Sequence, residues 1–339
     1  MRKSGAAFVA LLLVFAGIGS VEYYRLHTAY RGFAGEEVFV ELPLGTSESE
    51  IGRRLADTGV VPDRWTFRLA VRMARADRRL RAGEYRFADA ATPFEVAARL
   101  VKGDVFTFGV TFPEGLTIQE MAAIFERSGL GFGERFVEAA SNSSALARIA
   151  NLDPDARTLE GYLFPDTYAL RRHAGAPGTV DAMVAEFLNV FDARMRQAAG
   201  AQHLSVREAV TLASLIEKET AKPDERPIVS AVYRNRLKLH MPLQCDPTVI
   251  YALMLAGKWN GNITRENLQI DSPYNTYRYP GLPPGPIASP GRASLDAAVH
   301  PADVPYLYFV SRNDGTHVFA RSLEEHNRNV AQWQSKARK

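Results

Sequence analysis

The chain has 339 residues, and at about 150 residues per domain that length points to two domains. A composition of 46% hydrophobic, 23% charged and 10% aromatic residues excludes disorder, a collagen-like repeat and a polytopic membrane protein. Forty-one basic against 38 acidic residues leave +3, too balanced for a dedicated nucleic-acid binder, and the single Cys245 excludes a disulfide framework and a Cys-rich metal site.

The first element is apolar. Arg2 and Lys3 precede Ser4 to Val21, a run without charge, followed by Glu22, Tyr23 and Tyr24. The run is at the short end for a membrane span of about 20 residues. Basic residues before it hold that end in the cytoplasm, and the tyrosines suit the far interface. Residues 1–29 are therefore expected to be a cytoplasmic tip, one transmembrane helix and a juxtamembrane stretch. A cleaved signal peptide is the competing reading, because Gly17 and Gly19 form a small-x-small pattern before Ser20. Both readings export the rest of the chain.

Glu36 to Leu42 alternates around VFVEL and predicts a strand. Ser47-Glu48-Ser49-Glu50 is a capping box opening a helix with Ile51 and Leu55. A second helix holds Trp65, Leu69 and Met73, and Gly83 to Phe87 returns as a strand. Thr92-Pro93-Phe94-Glu95 is another capping box with proline at the first helical position. The order strand, two helices, strand resembles a LysM domain, a small glycan-binding module, and residues 30–104 are assigned to it.

A near-repeat follows at an offset of seventy. Pro43, Gly45, Ser47, Glu50, Ile51, Leu55 and Gly59 align with Pro113, Gly115, Thr117, Glu120, Met121, Phe125 and Gly129. Both copies read as strand, turn, capped helix and glycine stop. Duplication is one explanation; the other is that any capped strand–turn–helix looks like this.

From Asn151 the texture changes. Val180 to Ala199 and Ser205 to Thr220 read as amphipathic helices, and a further helix ends near His240. Pro273 to Gly291 holds six prolines and three glycines, which excludes regular helix or central strand. Tyr306 to Arg312 and Thr316 to Ala320, joined by Asn313-Asp314-Gly315, predict a hairpin with a primed turn. The whole reads as α+β.

The chemistry is sought first on the helix after Ser205. At about 100° per residue, Val206, Ala209, Val210, Ala213 and Ile216 share one sector of about 120°, and Glu217 falls inside it. Lys218 and Glu219 fall outside. A carboxylate on an apolar stripe is costly to bury unpaired, and desolvation raises such a group's pKa toward the range a general acid needs. The competing reading is a frayed helix end, or a pair with a buried arginine such as Arg234 or Arg236. No phosphate loop, serine-nucleophile or zinc-protease motif occurs, and no two histidines stand four apart on a helix, so no metal or cofactor is expected. Tyr274-Asn275-Thr276-Tyr277, with Gln244, Asp246 and Thr248, offers ring faces and hydrogen-bonding groups suited to a sugar groove. The same residues also suit a packed loop.

The strings EGYLFPDTY (160–168), LASLIEKET (212–220), QCDPTVIYAL (244–253), SPYNTYRYPGLPPGPIASPG (272–291) and HPADVPYLYFV (300–310) resemble those of the YceG-like (MltG) endolytic murein transglycosylases. The resemblance runs from the N-terminal anchor to the end of the chain, with Cys245 where members often carry Thr or Ser. It implies a lyase at the outer face of the cytoplasmic membrane, with residues 105–339 as the catalytic domain. Its substrate is then the peptidoglycan glycan strand, its partners peptidoglycan synthases, and its product a 1,6-anhydro-MurNAc end. It also implies Glu217, the first Glu of the EKET string, as the catalytic residue. Glu219, Gln244, Asp246, Thr248, Tyr274, Asn275, Thr276, Tyr277, Tyr162 and Asp166 are the residues expected to bind substrate. Two alternatives stay open: a hydrolase pairing Glu217 with Asp246 or Asp166, and a non-enzymatic wall-binding scaffold.

Overall fold

The computed structural model describes residues 2–172 and 174–334, with side chains described at residue 9 and from residue 11 onward within those ranges. The chain forms two compact units, Met1–Phe108 and Gly109–Lys339. Among the described residues helices dominate, and the strands form three separate two-stranded sheets, which makes the fold α+β.

The first unit runs α1 (Arg2–His27), β1 (Val38–Leu42), α2 (Glu48–Asp57), α3 (Arg64–Met73), β2 (Gly83–Phe87) and α4 (Pro93–Lys102). Strands β1 and β2 pair antiparallel, from Val38 opposite Phe87 to Leu42 opposite Gly83. Alternation turns Val40, Leu42, Tyr85 and Phe87 inward, onto Ile51, Leu55, Phe67, Val71, Val96 and Leu100. The predicted strand–helix–helix–strand order is present, with two local differences. Ser47 accepts the Glu50 N–H, but Glu50 does not return the contact; its carboxylate is taken by Arg53 and Arg54, which hold it at about 2. Helix α3 buries Thr66, Phe67, Ala70 and Val71 and leaves Trp65, Leu69 and Met73 exposed.

Helix α1 takes in the expected membrane segment. The side chains of residues 4–8 and 10 lie outside the described residues. Among the described residues no helix is long and apolar enough to cross a membrane. The described part of α1 leaves Leu11, Leu12, Leu13, Val14, Phe15 and Ile18 exposed.

The second unit begins with β3 (Phe108–Thr111), α5 (Ile118–Arg127), α6 (Gly133–Asn142), α7 (Ser144–Ala150) and β4 (Thr167–Leu170), with β3 beside β4. Next come α8 (Gly175–Val190), α9 (Ala193–Ala201), α10 (Val206–Glu219), α11 (Arg226–Lys238) and α12 (Asp246–Leu255). The proline-rich stretch leads to α13 (Arg292–Val299), the hairpin β5 (Tyr308–Ser311) and β6 (His317–Ala320), and α14 (Leu323–Trp333). The helix expected over Val180 to Ala199 is two helices. Asp192 interrupts it by accepting the N–H groups of Arg194 and Met195 as an N-cap.

The hairpin also differs from expectation. Ser311 pairs with His317, and Arg312 N–H donates to the Thr316 carbonyl, leaving Asn313-Asp314-Gly315 as a three-residue loop. Asn313 and Gly315 have positive φ but are not adjacent, so a two-residue primed turn is not formed.

The near-repeat survives as conformation. Gly45 and Gly115 have φ of 85° and 77°, and the stop glycines Gly59 and Gly129 have 75° and 72°. Side chains of Ser47 and Thr117 cap the helices that follow.

Candidate active site

The helix carrying Glu217 is more deeply enclosed than an amphipathic stripe requires. Ser205 and Glu208 close a full capping box, and every residue from Ala209 to Ile216 is buried. Helical phase therefore does not by itself single out Glu217, because the wrapping is continuous around α10. What singles it out is its position where that burial ends. Its side chain is 7% exposed, in the last turn of α10, with three segments of the second unit converging on it.

The proline-rich stretch is the first. Ile287 N–H donates to Ser214 Oγ (3.1 Å), and Arg207 Nη1 donates to the Pro284 carbonyl (2.7 Å), which lays the loop along α10. Gly291, the N-cap residue of α13, then donates its N–H to Glu217 Oε2 at 2.9 Å. A carboxylate in the last turn of its own helix faces the negative end of that helix, and the positive end of α13 offsets this. The turn after β3 is the second segment. Gly115 N–H donates to the Ser289 carbonyl, Ser289 N–H donates to the Leu116 carbonyl, and Lys218 Nζ reaches the Gly115 carbonyl at 3.0 Å. This brings Glu114 against Gly291 so closely that a Cβ on Gly291 would fall 1.8 Å from Glu114 Oε1. Only glycine fits there without moving that carboxyl.

The third segment is the start of α11. Buried Arg226 places Nη2 3.3 Å from Glu217 Oε1 and 3.9 Å from Glu114 Oε2. Glu217 is thus paired with a buried arginine, the competing reading of the sequence, and is not a lone desolvated carboxylate. Its partner is neither Arg234 nor Arg236, whose guanidinium groups donate to backbone carbonyls. Burial, and next the Glu217 charge, push the Glu114 carboxyl above the ordinary range, while Arg226 pulls it back. Sequence reasoning assigned no role to Glu114, Arg226 or Gly291; the available signals were that Glu114 and Gly115 lie within the second copy of the repeat and that Gly291 ends the string 272–291.

Glu219 turns the other way, as the helical phase required. It accepts the Tyr233 hydroxyl at 2.7 Å, and burial pushes its carboxyl up. It opens on a cavity of about 260 Å³ lined also by Arg236, Gln244, Asp246, Tyr277 and His326. Four of the residues expected to bind substrate, Glu219, Gln244, Asp246 and Tyr277, meet here. Asp246 Oδ1 accepts the Tyr277 hydroxyl at 2.5 Å.

The other expected contacts lie elsewhere. Thr248, Asn275 and Thr276 are enclosed, and their polar atoms serve the loop. Thr248 Oγ1 donates to the Cys245 carbonyl, Thr276 Oγ1 accepts the Cys245 N–H, and Asn275 Nδ2 donates to the Leu268 and Ile270 carbonyls. In this structure they are buried and present no surface to a sugar. Tyr162 is likewise core, donating to Asp153, which also accepts from Arg207. Tyr274 packs on Tyr251, which donates to the half-buried Glu160. Asp166 is exposed, and its carboxylate accepts the Thr167 N–H. Among the described residues no group of His, Cys, Asp and Glu side chains is placed to hold a metal.

Comparison with known proteins places the chain in a family. The YceG-like family matches residues 40–332. The endolytic murein transglycosylase of Bacillus subtilis is 32% identical over 307 residues, covering 86% of this chain and 83% of its own. That of Streptococcus pneumoniae serotype 2 is 31% identical over 327 residues, covering 87% of this chain and 58% of its own length. A crystal structure of a yceG-like protein from Listeria monocytogenes aligns with a TM-score of 0.58 at 32% identity, over 87% of this chain and 99% of that one. On the sequence match and this shared fold, the chain belongs to the YceG-like family.

Proposed function

We propose that this protein is an endolytic lytic transglycosylase that cuts peptidoglycan strands between MurNAc and GlcNAc, with Glu217 as its one acid and base. The observation that carries this reading is the placement of Glu217, a nearly buried carboxyl with three chain segments converging on it, in a chain about one-third identical to curated transglycosylases.

Ordinary glycosidases use two carboxyl groups, the second to attack or to activate water. A lyase needs one. Protonated Glu217 donates to the glycosidic oxygen as the bond from MurNAc C1 to that oxygen breaks. Positive charge develops at C1, and the MurNAc C6 hydroxyl oxygen attacks it. The C6 proton passes to the Glu217 carboxylate, which restores the acid. The nucleophile is tethered to the reacting ring, so the step gains from proximity and consumes no water. The cavity beside Glu219, with Gln244, Asp246 and Tyr277, supplies hydroxyl and amide partners for neighbouring sugars. The first unit is read as a LysM-like glycan-binding module. Exposed leucines on α1 suit a single membrane anchor, with the catalytic part on the outer face of the cytoplasmic membrane and peptidoglycan synthases as partners.

The test is product analysis. The full chain and its Glu217→Gln variant are incubated with uncrosslinked glycan strands, and new ends are identified by mass spectrometry. Anhydro ends from the wild type alone are expected. Reducing ends would replace the lyase with a hydrolase, and strand binding by a folded wild type without cleavage would favour a scaffold. A second reading has one observation in its favour. Burial pushes up Glu219 in the open cavity beside Asp246, as a two-carboxylate hydrolase would require. Loss of activity in Glu219→Gln but not in Glu217→Gln would select it.

A further inference from the structure

We propose that Glu114, Arg226 and Glu217 form a single unit in which the two carboxyl groups share one titrating proton across a common guanidinium, so that Glu114 governs the protonation of the catalytic carboxyl. The inference rests on the reading of Glu217 as the acid.

The geometry carries it. One nitrogen, Arg226 Nη2, contacts both carboxyl groups, at 3.3 Å and 3.9 Å. Both separations are long for a charge-assisted hydrogen bond, and neither pair closes the two-pronged fork that an Arg–carboxylate pair favours. Arg226 Nη2 is shared by its two partners, and its buried Nε–H has no partner among the described residues. Two ionised carboxylates and one guanidinium leave a net negative charge, and two of the three groups, Glu217 and Arg226, are nearly buried. One proton between them removes it, as in other carboxyl pairs that cannot both ionise. The elevated Glu114 carboxyl follows the same logic, with burial first and the Glu217 charge next. Glu114 is also suited to exchange protons with solvent, its side chain being 49% exposed against 7% for Glu217.

The remaining charged groups around Glu217 do not replace Glu114. Lys218, on α10, donates to the Gly115 carbonyl, and Arg292, at the start of α13, is exposed. Glu225, next to Arg226, accepts from Thr220 and from His317 N–H and is paired to the His317 ring. In the structure the guanidinium sits nearer Glu217, the arrangement expected when the proton is on Glu114. A shift of Arg226 toward Glu114 accompanies transfer of that proton to Glu217, which then donates it to the strand.

The test compares the full chain in detergent with Glu114→Gln and Glu114→Asp, whose melting temperatures are checked first. Glutamate carboxyl titrations are followed by ¹³C NMR, assigned with the Glu114→Gln and Glu217→Gln variants, and the pH profile of strand cleavage is measured alongside. Coupled two-step titration is expected in the wild type. In Glu114→Gln, Glu217 should titrate in one step at lower pH, and the alkaline limb of activity should move down by about one pH unit, tenfold in rate at a fixed pH on that limb. Glu114→Asp, which keeps the charge, should restore most of the limb. An unchanged Glu217 titration in Glu114→Gln overturns the proposal. Coupled titration in a wild type that releases no anhydro ends would support the shared proton and sink the catalytic reading instead.

Discussion

Two stretches of this chain, Pro43–Gly59 and Pro113–Gly129, begin from the same local instructions and end in different roles. Each turns at a left-handed glycine, caps a ten-residue helix with a hydroxyl side chain, and stops at a second left-handed glycine. Each helix buries its apolar pair, Ile51 with Leu55 and Met121 with Phe125. The turns differ in what surrounds them. Gly45 has open space around it, and its neighbour Leu44 is 94% exposed. Gly115 lies against Glu217 and Lys218, and the residue matching Leu44 is Glu114. One turn is a surface corner; the other is a wall of the candidate active site. The motif sets a shape, and the neighbours set its use.

The largest expected effect tests the far side of the second turn. Glu217→Gln should lower anhydro-end formation by about 10²–10⁴-fold, the usual worth of a general acid–base group. Glu219→Gln, on the opposite face of α10, should lower it less, and equal losses would break the assignment of the two faces. Next comes a partner of the second copy that has no counterpart in the first. Glu160 accepts the Ile118 N–H at the start of α5, and burial pushes its carboxyl up to about 8. The folded chain therefore keeps a proton that the unfolded chain releases. This group's stability contribution is complete below pH 4.5, its ordinary value, and is lost as pH rises through 8. Glu160→Gln should flatten that decline in melting temperature between pH 5 and pH 9.

Substitution of the turn glycines sharpens the comparison further. Gly45→Ala and Gly115→Ala should each cost about 1–2 kcal/mol, because both residues have left-handed φ. Denaturant unfolding should find them alike, while only Gly115→Ala should also lower cleavage. The smallest effects belong to the caps. Thr117→Ala should cost about 1 kcal/mol, and Ser47→Ala nearer the lower end of the same range, since Thr117 closes a reciprocal box with Glu120 and Ser47 accepts only one N–H.

Much of this was legible before the fold was known. Ser205 and Thr92 marked helix starts through hydroxyl and glutamate spacing, and the glycines at 45, 59, 115 and 129 marked turns that other residues resist. These signals act within four or five residues, so they survive without tertiary context. The break at Asp192 was missed because a cap inside an apolar run competes with helical periodicity, and only packing decides between them. Helical phase separated Glu217 from Glu219 correctly in direction but for an incomplete reason, since α10 is buried all around from Ala209 to Ile216. Thr248, Asn275 and Thr276 looked like sugar ligands because a buried amide or hydroxyl has the same letter as an exposed one.

By itself, the sequence determined the α+β class, the capped helices, the two glycine turns and, through its long strings, the family. Tertiary structure alone decided that Arg226 sits between Glu217 and Glu114, and that Gly291 admits both carboxyl groups beside α13. Arg226, Glu114 and Gly291 stand 9, 103 and 74 residues from Glu217 along the chain. Turn and cap chemistry is written in adjacent residues, whereas a charge cluster of this kind exists only when distant backbone segments are folded to within a few ångströms.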